Sequence, residues 1–215
     1  MTHDRIGMWT LLAVAVVTAG LFFWTTSQHK QGGSVADTYV DQAGQVHVLG
    51  VTLGSTTLRE AERILQSKAE VALYIYPTGH SSAGLKMEAY FPSIADHTRV
   101  ILLLDVPQSR LLDIESRASQ PHQAQNGVVR MNPAVADLMN MAGAVVAELT
   151  LIPSLDVSAD NLKARFGVPD SARPVADGTL VEYRYATAGL RAILGKDALP
   201  MLHFANPSAA KQASE

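Results

Sequence analysis

From Ile6 to Ser27 the chain carries no charged side chain, and both of its tryptophans, Trp9 and Trp24, stand near the ends of that run. As a helix rising 1.5 Å per residue, the run is about 33 Å long, enough to cross a hydrocarbon core of about 30 Å. Trp9 and Trp24 would then lie about 22 Å apart, a spacing that sets both indoles near the headgroup levels. The run exceeds the apolar core of a cleaved signal peptide. The first small-x-small site, Ser34-Val35-Ala36, comes only after His29, Lys30 and a Gly32-Gly33 pair. Residues 1–27 therefore read as an uncleaved signal anchor touching membrane lipid; release at Ala36 would instead give a secreted ligand-binding protein. Arg5 and Asp4 on one side balance Lys30 and Asp37 on the other, so flanking charge leaves the orientation tied. The short leader before a single span favours a cytoplasmic N-terminus. The expected location is the bacterial inner membrane, single pass, with a periplasmic body.

The formal charge of −3 on 215 residues supplies no field for nucleic acid. The absence of cysteine excludes disulfides, thiolate metal sites, cysteine nucleophiles and a lipid-modified N-terminal cysteine.

Residues 28–45 are polar and small and read as a linker, with order beginning near Val46; residues 206–215 read as a disordered tail that tolerates truncation. Between them one pattern occurs twice, an α+β unit with an antiparallel sheet. In the first unit, 46–105, Thr57-Leu58-Arg59-Glu60 is a capping box opening a short helix. Strands follow at Glu70 to Tyr76, Leu85 to Phe91 and Val100 to Leu104, the first two by alternation and the third as a continuous apolar run. The second unit, 145–205, has Ser158 as N-cap with Asp160 in the first turn, then Gly167 and Pro169 as the stop. Its strands are expected at Leu180 to Tyr185, Leu190 to Leu194 and Leu199 to Phe204, after an Asp177-Gly178 turn. Val145 to Ile152 alternates as a strand that could extend the second sheet. The connection, 106–144, predicts a helix around Gln108 to Arg117, a loop from Ala118 to Asn126, and a helix from Asn132-Pro133 toward Gly143. The two units suggest a diverged duplication.

Leu162-x3-Phe166-Gly167-x-Pro169, Asp177-Gly178, Tyr183-Arg184-Tyr185 and Gly189-Leu190 resemble the SmpA/OmlA (BamE-like) domain of bacterial envelope proteins. The resemblance covers about Val157 to Phe204 and implies a small α+β module that works by protein contact. It implies structural roles for Gly167, Pro169, Gly178, Tyr185 and Gly189. Members of that family are lipoproteins, whereas this chain has no cysteine to acylate.

No arrangement of reactive residues matches this clarity. His47, His80, His97, His122 and His203 are scattered without metal-ligand spacing, and read as surface or loop residues. Met131, Met139 and Met141 read as core filling, as does Met87. His80 with Ser81-Ser82, or a serine with Asp113 and His122, lacks a nucleophile elbow. Glu60 with Glu62 and Asp113 with Glu115 lie two apart on helices and diverge. No phosphate-binding glycine loop is present. The reading is of no enzyme, no catalytic residue, no cofactor and no metal. Tyr74 and Tyr76, with Tyr183 and Tyr185 at the corresponding place in the second unit, are the candidate protein interface. The resulting expectation is a membrane-anchored scaffold or accessory subunit of a membrane assembly. The rival is a metal- or ligand-binding protein or enzyme built from the scattered histidines and carboxylates.

Overall fold

The computed structural model describes residues 38–207 except 81, 95–96, 125 and 176–177. The chain order is β1 (Tyr39–Val40), β2 (Val46–Val48), β3 (Val51–Thr52), α1 (Leu58–Ile64), β4 (Glu70–Tyr76), β5 (Gly84–Phe91), β6 (Arg99–Asp105), α2 (Gln108–Arg117), β7 (Ser119–Gln123) and β8 (Val129–Asn132). It continues with α3 (Val135–Met141), β9 (Val145–Ile152), α4 (Ala159–Phe166), β10 (Ser171–Val175), β11 (Leu180–Tyr185), β12 (Leu190–Gly195) and β13 (Ala198–Ala205).

Ten strands form one antiparallel sheet in the order β10-β11-β12-β13-β9-β6-β5-β4-β8-β7, and β1, β2 and β3 form a small sheet of their own. Two separate sheets were expected; the correction comes from β9. A meander of β4, β5 and β6 leaves one edge of β6 unpaired, and β13 leaves another. β9 fills both gaps, pairing Leu102 with Leu149 on one side and Phe204 with Leu149 on the other. Unpaired backbone N–H and C=O groups are costly to bury, so a strand with apolar residues on one face closes both edges at once. The helix-then-meander repeat holds for α1 with β4–β6 and α4 with β11–β13, but each half gains outer strands. These are β7 and β8 on one side and β10 on the other; β7 and β10 are polar, proline-containing segments without apolar alternation, and β8 is a four-residue strand with only Val129 and Met131 as apolar residues.

One face of the sheet is the core. Along β5, β6, β9 and β13 buried residues alternate with accessible ones, and Met87, Phe91, Leu102, Leu149, Leu151, Leu202 and Phe204 lie on the buried side. Leu58 and Ala61 of α1, Leu111 and Ile114 of α2, Met141 of α3 and Leu162 of α4 enter the same cluster. Burying a side chain of this size contributes roughly 1.5–3 kcal/mol, so this face is the main source of stability.

Local signals set the helix ends. Thr57 and Glu60 form the reciprocal capping box, Ser158 Oγ accepts from the Asn161 N–H, and Gly167 ends α4 at φ 84°. The third helix begins later than the Asn-Pro signal suggests, because Asn132 is held in β8 opposite Ser119. Arg117 closes α2 onto α3, donating to Asp113 and to the buried Asp137. Met139 is 74 % exposed, which corrects its assignment to the core; Met141 fills that place.

Residues 38–45 belong to the fold rather than to a linker, since Asp41 accepts from the Ala43 and Gln45 N–H groups and turns β1 into β2. Asn206 is a structural residue and not the start of a dispensable tail, since its side chain bonds the backbone of Val46 and Leu53. The membrane expectation is also corrected. Among the described residues no helix is long and apolar enough to cross a membrane. The stretch Ile6 to Ser27, with Trp9 and Trp24, lies outside them. The single-pass anchor, the inner-membrane and periplasmic location, and the lipid contact find no support among the described residues.

Candidate functional site

Period-two alternation puts every second residue of the large sheet on the face away from the helices. One row across it reads Glu70, Tyr90, Ile101, Thr150, His203, Arg191, Arg184, Ser171; the next reads Ala72, Glu88, Leu103, Glu148, Ala205. No described element lies over these rows, and most of their side chains stay partly accessible.

Tyr74 and Tyr76 belong to this face, their rings 6.2 Å apart between centroids. Tyr183 and Tyr185 do not. Tyr183 pairs with Ala192 and Tyr185 with Leu190, both buried, so these rings sit on the helix side. Tyr185 is 2 % exposed and meets Phe166 of α4. The expected equivalence fails because the two meanders present opposite phases of their alternation to the core.

A chain of half-buried polar groups crosses the open face. Tyr76 donates to Glu88 at 2.6 Å, and burial followed by this carboxylate raises the phenol well above its usual range. Burial also raises the Glu88 carboxyl, against the hydrogen bond from Tyr76, and raises that of Glu148. His203 lies 3.4 Å from Glu148 and 3.0 Å from the Thr150 hydroxyl. Burial, then the charge of Arg191, lowers the ring to about 4, so it is neutral at pH 7. Farther along, Glu182 is buried among Arg173, Arg184 and Arg191.

Sequence reading passed over a second constellation. Asp41 Oδ2 lies 2.9 Å from His47 Nε2, and His47 Nδ1 lies 2.9 Å from the Thr52 hydroxyl. Carboxylate, imidazole and hydroxyl in line is the order of a nucleophile relay. The amides that would stabilise an oxyanion there are already engaged, Leu53 N–H with Val46 C=O and Thr52 N–H with Thr56 Oγ1. Tyr39 and Thr52 are the cross-strand neighbours of His47, and Tyr39 stacks on its ring at 4.4 Å. The row ties three short strands together.

The remaining candidates do not converge. Among the described residues no group of three His, Asp or Glu is placed to hold a metal. His80 stacks near Tyr76 and accepts from the Ser82 N–H in a turn, while His97 and His122 are exposed. Asp113 is taken by Arg117. A metal site assembled from the scattered histidines and carboxylates is therefore not found among the described residues.

The chain gives no match to protein-family models, curated proteins or solved structures. The likeness of Val157 to Phe204 to the SmpA/OmlA domain thus rests on its residues alone.

Proposed function

We propose that this domain acts by contact rather than by catalysis, and that the surface it uses is the uncovered face of the large sheet, stacked against the same face of a second copy. The observation that carries this reading is an apolar and aromatic strip, Tyr74, Tyr90, Ile101, Leu103, Ile152 and Met201, left accessible on a sheet whose other face holds the buried core. Eight strands about 4.8 Å apart and six residues of about 3.3 Å rise span roughly 38 by 20 Å. That is about the 800 Å² per partner of a standard interface.

Edgewise pairing is disfavoured at both ends. The outermost strands β7 and β10 carry Pro121 and Pro174, which cannot donate to a further ladder, and both strands are mostly exposed and polar. Face-to-face stacking remains, as in a β-sandwich. The face bears both signs of charge, with Glu88 and Glu148 between Lys86 and Arg130 on one side and Arg191 on the other. Such a surface complements itself and matches no uniformly charged partner such as nucleic acid.

Sedimentation velocity over micromolar concentrations tests this. The chain is expected to dimerise, and Leu103→Arg, at an accessible position that spares the core, is expected to weaken the dimer at least tenfold. A wild type that stays monomeric throughout would overturn the reading.

A further inference from the structure

Glu182 on β11 is 7 % exposed at its side chain, yet three guanidinium groups gather on it. Arg173 on β10 places Nε and Nη2 at 3.0 and 2.8 Å from Oε1, and Arg184 places Nε at 3.0 Å from the same oxygen. Arg191 on β12 reaches to 3.9 Å from Oε2. One carboxylate against three guanidiniums leaves two positive charges in excess. Arg184 and Arg191 are also directly cross-strand, an arrangement that costs free energy when like charges face each other unrelieved.

The arginines are much more open than the acid they share, with side chains 55, 47 and 37 % exposed. Each guanidinium has five N–H donors. The bonds to Glu182 engage two on Arg173 and one on Arg184. The acid anchors one edge of each planar group, and so presets where the outer edges stand. Around the cluster on the same face lie Ser171, opposite Arg184, Ile193, opposite Glu182, and His203, opposite Arg191; the further carboxylates nearby are Glu148, beyond His203 and within the field of Arg191, and Asp170, whose Oδ2 accepts from the Ala186 N–H.

We infer that Arg173, Arg184 and Arg191, held in place by Glu182, form a binding site for a doubly charged oxyanion, a phosphate either free or as a monoester. Planar guanidinium forks suit phosphate oxygens bidentately, and the two excess charges equal those of the dianion. The ligand closes the Arg184–Arg191 contact by standing between them, with the Ser171 hydroxyl at hand as a neutral donor. Glu182 is a positioning residue and does not touch the ligand. The inference shares the uncovered face with the proposed function but lies at its β10–β12 end, away from Leu103.

The test follows the Nε–Hε resonances of the three arginines by NMR in the full chain, titrated with inorganic phosphate and in parallel with phenyl phosphate at pH 7.5. Sodium chloride at matched ionic strength is the control. Saturable shifts with phosphate and not with chloride are expected, weakened about tenfold in Arg191→Gln and in Arg184→Gln while the thermal unfolding midpoint stays near wild type. Tighter binding of phenyl phosphate assigns the site to esters, and equal binding to the free ion. Shifts that match chloride, or an Arg191→Gln protein that binds phosphate as well as wild type, would sink the inference. Leu103→Arg should leave phosphate binding intact, so failure of the stacked dimer and failure of this site are told apart.

Discussion

Asn206 and Val46 stand 160 positions apart in the chain and are joined by a hydrogen bond of 2.8 Å, from the Val46 N–H to Asn206 Oδ1. The same amide donates through Nδ2 to the Leu53 carbonyl at 3.0 Å, so one side chain fastens the small sheet beyond the end of β13. Asn206→Ala leaves the Val46 N–H without its partner and the Leu53 carbonyl with only the longer bond from Gln45 Nε2 at 3.4 Å. It is expected to cost about 1–3 kcal/mol, read as a fall of several degrees in the unfolding midpoint. Asn206→Asp, which keeps only the acceptor, should fall between the two.

Gly189 ends a short 3-10 turn at φ 59°, and a Cβ there would run into the carbonyl oxygen of Ala205. Ala205 in turn donates its N–H to the Gly189 carbonyl at 2.9 Å, so the two backbones cannot separate without losing that bond. Gly189→Ala is expected to destabilise by about 2–4 kcal/mol, the sum of left-handed strain and overpacking, measurable by urea denaturation. Loss below 1 kcal/mol would show that this approach relaxes freely.

Tyr185 Oη is buried and has no hydrogen-bond partner among the described residues, although its ring fills the space against Phe166. Burial accordingly pushes the phenol above its usual range. Removing the hydroxyl keeps the packing and ends the desolvation cost. Tyr185→Phe is expected to stabilise the fold by about 1 kcal/mol in chemical denaturation, and a loss of that size would indicate an unseen partner for the hydroxyl.

His203 gives acid sensitivity a definite window. Its folded pKa of about 4 lies below the 6.5 of a free imidazole, so the unfolded chain takes up the proton first as the pH falls. Stability should drop between pH 6.5 and 4, by about 2–3 kcal/mol from this group, and level off below. Glu88 and Glu148, raised by burial, act in the opposite direction and blunt the slope. Asp41, Asp113 and Glu182, held low mainly by hydrogen bonds that outweigh desolvation, lose their contribution only in stronger acid. Denaturation series at pH 7 and pH 4.5 should show a smaller difference for His203→Gln than for wild type; equal differences would remove the histidine from the account.

Strands that alternate over a covered face were legible in the sequence, since β4, β5, β11 and β13 each repeat apolar residues with period two. So were the helix ends at Thr57, Ser158 and Gly167, where one side chain or one backbone angle decides the boundary. The strands Ser119–Gln123 and Ser171–Val175 were not, because they lie at the edges of the sheet, bury little, and are stabilised by one neighbouring ladder alone. The open face was half legible. Tyr74 and Tyr76 were singled out, but which side of a strand meets the helices depends on the phase of its alternation against the whole sheet, and this moved Tyr183 and Tyr185 into the core. The arginines around Glu182 gave no local signal beyond Arg173, Glu182 and Arg184 themselves, since Arg191 reaches them through strand pairing.

The central place of β9 determines how the molecule comes apart. Its partners β6 and β13 are separated from it by the whole of α2–α3 on one side and of α4–β12 on the other. A cut before Val145 would strip β6 of its neighbour β9, while β9 would stay paired with β13 in the C-terminal piece. Amide protons of β6, β9 and β13 should then exchange at a common rate set by global opening, with protection falling off toward β7 and β10. Within the large sheet the strands of the two halves of the chain meet along one ladder, β6 with β9, from Arg99 opposite Ile152 to Asp105 opposite Val145.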